Sequence, residues 1–266
     1  MNIHRFTGLA AALLILGTVC VMNADKKSDA AALGNKGNEL AQAAKYEEAI
    51  VEFTKAIALM PSDDRLYNDR GRVYRAFGKI PEAIADFTKS VELAPKSEMG
   101  YIERGQTQMV QSQFDAALVD YNKAVELNPN NPVVYDRRGY AFYNLRKYDE
   151  AIKDYTASIE KKPDNPLTFN RRADAYVALN KFAEALPDLE AALNLKPGDF
   201  DTTQRIAFVK GKLAPPPPRV AVAPVATPAP TPAGMSMQMK IGIGVAALIV
   251  IIIIAIVVTR KKVREY

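Results

Sequence analysis

Five prolines, Pro61, Pro95, Pro129, Pro163 and Pro197, stand 34 residues apart. A fixed period of this length means that one supersecondary unit is repeated and stacked. Other columns keep the same register. Gly37, Gly71, Gly105 and Gly139 recur, with Ala173 in the fifth unit, and Ala49, Ala83, Ala117, Ala151 and Ala185 recur without exception. Phe53, Phe87, Tyr121 and Tyr155 form an aromatic column closed by Leu189. A second runs through Tyr67, Tyr101, Tyr135 and Phe169, opened by Leu33.

Within each unit the apolar positions recur at three- and four-residue steps, the signature of a helix face. In the second unit Tyr67, Gly71 and Tyr74 line one helix, and Ala83, Ile84, Phe87 and Val91 line the next. The small residues mark close helix approach, since a larger side chain there would push the backbones apart. A short turn at Gly78-Lys79 joins the two helices. The proline then ends the second helix, because it disfavours helical geometry before it and cannot donate the next hydrogen bond. The spacing therefore predicts an all-α chain of five helix–turn–helix units over 30-63, 64-97, 98-131, 132-165 and 166-199.

The period together with its small, aromatic and proline columns resembles the tetratricopeptide repeat, over about residues 30 to 197. The resemblance implies a right-handed solenoid. Two positions depart from the family pattern: Gln108 replaces the usual large eleventh residue in the third unit, and Pro187 falls inside the last second helix, where it should remove a hydrogen bond and kink it. Stacked repeats need a cap with a polar outer face. Residues 200–213 supply a candidate capping helix, with Ile206, Val209 and Leu213 on one face and Arg205, Lys210 and Lys212 turned to water. Eleven helices are expected.

One paired column differs from the family's common pattern. The seventh position of each unit is a base (Lys36, Arg70, Arg104, Arg138, Arg172) and the twenty-third an acid (Glu52, Asp86, Asp120, Asp154, Asp188). A partly buried charge is tolerated only when paired and hydrogen-bonded. Each pair is expected to bridge two helices, within a unit or across neighbours, as a staple of the stack rather than a ligand site.

The net charge of +5 does not mark a nucleic-acid binder. Between Ala30 and Leu213 there are 26 Lys plus Arg and 27 Asp plus Glu; the other nine bases lie outside. A nucleic-acid reader carries its positive charge on the folded face. Here the excess flanks two apolar blocks. Residues 241–259 are nineteen residues without a charge, close to the roughly 20 that cross a bilayer, and read as a transmembrane helix followed by a basic tail, 260–266. Residues 1–24 read as a signal peptide or an uncleaved N-terminal anchor: His4 and Arg5 precede an apolar core from Gly8 to Leu16, and the cleavage context near Ala24 is poor. The lone Cys20 lies in that block, and Gly17-Thr18-Val19 before it lack the leucine and small-residue pattern of a lipoprotein site. A short linker, 25–29, leads to the repeats.

Residues 214–240 form a Pro/Ala-rich linker, with eight prolines between Ala214 and Ala233. Such a stretch favours polyproline II, and at about 3.1 Å per residue could hold the repeats up to roughly 60 Å from a membrane. Positive charge prefers the cytoplasmic side. Arg260, Lys261, Lys262 and Arg264 therefore put the C-terminal tail in the cytoplasm and the repeats outside it, in a periplasm or other extracytoplasmic space; Lys26 and Lys27 argue mildly the other way.

The chemistry of catalysis is sparse. His4 is the one histidine, the repeats hold neither cysteine nor tryptophan, and no phosphate loop or metal-ligand spacing is present. No cofactor or metal is expected, and the chain reads as a binding protein rather than an enzyme. By carry-over from the family, a concave groove is lined by Asn68, Arg72 and Arg75 in the second unit, Met99, Glu103 and Gln106 in the third, Arg137, Tyr140 and Tyr143 in the fourth, and Arg171 and Asp174 in the fifth. Arginine and tyrosine are frequent interface anchors, and a peptide or partner helix with acidic and apolar residues would suit the mixture. The family's clamp for chaperone C-termini needs Lys and Asn, then Asn, then Lys and Arg. The nearest run here, Asn68 and Arg72 followed by Glu103 and Val133, lacks that set. Two functions follow: a membrane-tethered scaffold for envelope complex assembly, or a cytosol-facing membrane adaptor or co-chaperone.

Overall fold

The computed structural model describes residues 25–214 and Val250. Internal contacts divide the chain into two parts, Met1–Ala214 and Pro215–Tyr266. Residues 25–213 fold as eleven helices, with no strand among the described residues. They are α1 (residues 25–42), α2 (Tyr46–Leu59), α3 (Asp64–Ala76), α4 (Ile80–Leu93), α5 (Glu98–Val110), α6 (Phe114–Leu127), α7 (Pro132–Asn144), α8 (Tyr148–Lys161), α9 (Pro166–Ala178), α10 (Phe182–Leu195) and α11 (Phe200–Leu213). Both apolar blocks expected to meet a membrane lie outside the described residues, Val250 excepted. Among the described residues no helix is long and apolar enough to cross a membrane.

Each joint follows from its sequence. Every second helix stops two residues before the periodic proline, and the residue between (Met60, Ala94, Asn128, Lys162, Lys196) is driven out of helical geometry. The next helix then starts at a cap. The side chains of Asp63, Asn131, Asn165 and Asp199 accept a backbone N–H from the first turn, satisfying a donor that has no partner within the helix. Ser97 holds the same place without making that bond. Inside each unit the turn uses one left-handed residue: Ala44, Gly78, Ser112, Arg146 and Asn180 have φ of 57–82° and recur every 34 residues. Only Gly78 takes that conformation without steric cost.

Packing explains the glycine column. A Cβ on Gly37, Gly71, Gly105 or Gly139 would lie 2.8–2.9 Å from the ring of Phe53, Phe87, Tyr121 or Tyr155 respectively. Each ring sits sixteen residues on and is buried. In the fifth unit the ring becomes Leu189 and the glycine becomes Ala173, both buried, so the pair changes together. Buried clusters also reach across the seams between units. Phe53 groups with Leu66 and Val73, Tyr121 with Val134 and Ala141, and Leu189 with Ile206 and Val209. In the third unit, Gln108 at the departing position leaves a buried Oε1 without a hydrogen-bond partner.

The charge column forms the expected staples and reaches further. Arg70, Arg104, Arg138 and Arg172 bind Asp86, Asp120, Asp154 and Asp188 through two parallel hydrogen bonds of 2.7–2.8 Å each. These carboxylates raise the arginine pKa values against the opposing effect of burial. The free Nη1 donates to Thr54, Thr88, Asn122 or Thr156 in the preceding unit's second helix, at 2.9–3.2 Å. Each guanidinium also lies 5.6–5.9 Å from the aromatic ring three residues before it, within cation–π range. Three of those rings are tyrosines whose hydroxyls donate to the periodic proline carbonyls of Pro61, Pro95 and Pro129. One arginine thus joins two units and the turn between them. In the first unit Lys36 meets Glu52 at 3.2 Å, a single contact from an exposed lysine.

The ends of the domain depart in detail. Helix α10 runs through Pro187 as one element. On α11, Ile206 and Val209 are buried as expected with Thr202 beside them, while Leu213 is half-exposed. It is the last residue of the helix. Phe200 and Phe208 are exposed on the same helix, so the cap's outer face is not uniformly polar.

Candidate binding groove

First helices touch one another, α3 with α5, α5 with α7 and α7 with α9, whereas second helices do not meet their successors to the same extent. The stack therefore curves with its first helices on the inner side. All eleven candidate groove residues stand on α3, α5, α7 and α9.

The inner face joins these residues unevenly. Arg75 of α3 lies 2.7 Å from Glu103 Oε2 of α5 and donates to the Glu103 carbonyl and to Thr107 Oγ1. Arg72 approaches the same carboxylate at 3.9 Å. Arg171 of α9 pairs with Asp136 of α7, which also accepts from Thr168 at 3.0 Å, and its guanidinium lies 4.7 Å from the centre of the Tyr140 ring. Asp174 of α9 meets Arg205 of α11 at 3.1 Å. Several arginines of the groove are thus already committed to neighbouring helices. Asn68 is buried, and Gln106 and Tyr143 are half-buried. Tyr143 packs edge-on against Tyr148, with ring centres 5.4 Å apart.

The α5–α7 step is the exception. No ion pair crosses it among the described residues, and Arg137 makes none within 4.0 Å; its buried Nε has no hydrogen-bond partner. The reason lies in the columns. Arg171 finds Asp136 one unit back, whereas the residue one unit back from Asp136 is Ile102. Burial raises the pKa of Asp69 and of Asp174, opposed first by Arg72 and by Arg205 respectively. It also raises the Tyr121 and Tyr155 phenols, and the Tyr155 hydroxyl is buried without a partner.

Sequence reasoning took Met99 for the groove and missed its column mates. Met99, Val133 and Leu167, each 34 residues from the next, stand at the second position of α5, α7 and α9 and are 51%, 46% and 50% exposed. Three apolar side chains on successive helices form a ladder along one edge of the inner face. The 34-residue register itself carried that signal. Asp136, which engages Arg171, was missed as well: the two stand in neighbouring units, and no local spacing marks them as a pair.

Comparisons with known proteins place this architecture. Tetratricopeptide-repeat family models match residues 35–98, 105–146, 132–165 and 168–199. Among curated proteins none matches the chain. Among solved structures the chain is similar to YrrB, described as a tetratricopeptide-repeat protein with an unusual peptide-binding site. That likeness has 25% identity, covers 67% of this chain and 92% of the other, and has a TM-score of 0.55. The protein MamA is 22% identical over 71% and 98% of the two chains with a TM-score of 0.56. A thermophilic repeat protein from Thermus thermophilus is 20% identical over 68% and 98%, with a TM-score of 0.54; these last two speak for the fold alone. Because the family's models fall on the register that the five prolines set, this chain is a tetratricopeptide-repeat protein.

Proposed function

We propose that the chain is a membrane-tethered scaffold that captures an extended peptide or partner helix along the inner face of its first helices, in assembly of an envelope complex. The observation that carries this reading is the α5–α7–α9 surface. It exposes an apolar ladder beside a cation, Arg137, that makes no ion pair among the described residues. The peptide-binding site attributed to the similar protein YrrB supports the same use of the fold. Tethering rests on the sequence: nineteen uncharged residues, 241–259, followed by four basic ones. By the preference of positive charge for the cytoplasm, the repeats belong on the extracytoplasmic side.

Two experiments test this. Replacing Arg137 with Gln and Tyr143 with Ala together should weaken capture of the partner crosslinked in native membranes; unchanged capture would reject the groove. An alkaline-phosphatase fusion within the linker should report an extracytoplasmic location. A cytoplasmic readout would favour the adaptor reading, toward which Lys26 and Lys27 lean.

A further inference from the structure

The cleft between the first turns of α7 and α9 narrows the chemistry of the partner; this inference rests on the groove reading above. Its walls bring together Val133, Asp136, Arg137, Lys162, Leu167 and Arg171. Asp136 is consumed by Arg171 and Thr168. Arg137 and Lys162 make no ion pair among the described residues, and the buried Nε of Arg137 has no acceptor. Two cations without an internal anion therefore flank two exposed aliphatic side chains. A half-buried guanidinium without a counterion costs free energy in the unbound protein, so an arriving carboxylate gains both a partner and the relief of that cost.

The ladder sets a spacing. Packed helix axes lie about 8–10 Å apart, so Met99, Val133 and Leu167, at one helical position on successive first helices, recur at about that interval. A polyproline II chain advances about 3.1 Å per residue and completes a turn in three, or roughly 9 Å. An extended segment with an apolar side chain at every third residue would seat one on each rung. A strand, alternating every second residue at about 6.6–6.8 Å, would fall out of step. Because the rungs continue on both sides of the cleft, the anion belongs inside the segment rather than at its end. The chain's own linker is not that segment. Residues 214–240 contain no Asp or Glu and carry Arg219 and Lys240, which Arg137 and Lys162 would repel.

We infer that the α5–α7–α9 face binds an extended segment of a partner protein with aliphatic residues three apart and an internal Asp or Glu between the two that meet Val133 and Leu167.

The test uses the full chain in detergent micelles and a labelled, end-capped peptide with Leu at three successive third positions and one Glu between the second and third. Fluorescence anisotropy should show binding that weakens about tenfold or more when Glu becomes Gln, the scale of a charge-assisted hydrogen bond. Arg137→Gln should weaken the Glu peptide to the same degree and leave the Gln peptide unchanged. Its thermal midpoint should not fall, since an unpaired charge is removed. Several results would overturn the inference: no binding of the Glu peptide, equal binding of Glu and Gln peptides, equal binding with leucines two apart, tighter binding of a peptide whose only carboxylate is its C-terminus, or tighter binding of a phosphoserine in place of Glu. If native-partner capture still depends on Arg137 and Tyr143 in any of these cases, the groove reading stands and only its chemistry fails. If capture is independent of them, the groove reading itself fails.

Discussion

The Arg104–Asp120 pair shows how much one position can carry. Asp120 is almost fully buried, and both its oxygens are held by Arg104. Arg104→Leu leaves that carboxylate without a partner and should lower stability by about 3 kcal/mol or more. Lys36→Ala, in the same column, removes one contact from a side chain that is 59% exposed and should cost under about 1 kcal/mol. Thermal melts of the two variants test the contrast. The glycine column gives a second test. Gly105→Ala places a methyl 2.9 Å from the Tyr121 ring, and overpacking of this kind costs about 1–3 kcal/mol. The helix preference for Ala returns up to about 1 kcal/mol. Pairing it with Tyr121→Leu, the combination that the fifth unit already uses, should recover part of the loss, and the shortfall from additivity measures the contact. These pairs were legible in the sequence because both members repeat. The bonds from arginine to Thr54, Thr88, Asn122 and Thr156 were not. Their column mixes residue types, and nothing local indicates that a guanidinium will arrive from the next unit.

Helices and turns divide along similar lines. The proline stops and the helix lengths follow from backbone sterics and were readable. The left-handed turn was read at Gly78; Asn180 also favours it, whereas Ala44, Ser112 and Arg146 give no compositional sign of it. At those sites a Cβ in left-handed geometry costs roughly 1–2 kcal/mol. Ala44→Gly should therefore raise the melting temperature despite the greater freedom glycine has in the unfolded chain; a lower melting temperature would contradict the turn geometry. Pro187 is exposed within α10, and Pro187→Ala restores a helical donor, with an expected gain of about 1–3 kcal/mol. The cap of α11 brings in pH. Hydrogen bonds from Lys196 and then Thr202 hold the Asp199 carboxyl down to about 2, against 3.8 when unperturbed. A depressed carboxyl stabilises the fold above its unfolded value and loses that contribution as pH falls toward the folded one. Protection of the amides at the start of α11, taken relative to their intrinsic exchange rates, should fall from pH 3.8 toward 2, and Asp199→Asn should flatten that dependence.

At the scale of the whole molecule, one register runs through folding and binding. Each unit buries its rings only by stacking on the next, so stability is shared along the array rather than held in a single centre. The inner face inherits the same period. Where neighbouring columns supply complementary charges, as with Asp136 and Arg171, the charges are held by their own ion pairs. Where they do not, as at Arg137 in the same cleft, a cation is left without an ion pair among the described residues. Sequence reading placed the candidate groove residues on first helices but could not tell engaged arginines from unengaged ones. That distinction depends on which residue lies one unit away across a helix seam, a contact set by rotation of the helices and not by composition.

The proposed groove holds the partner on the inner face of the first helices. A photo-crosslinking residue placed at Tyr140, on the inner face and 41% exposed, is compared in native membranes with one at Val119, on the second helix α6 and 69% exposed. A discrete crosslinked partner is expected from the Tyr140 position and none from Val119, even though Val119 is the more accessible of the two. A partner captured at Val119 and not at Tyr140 would contradict it.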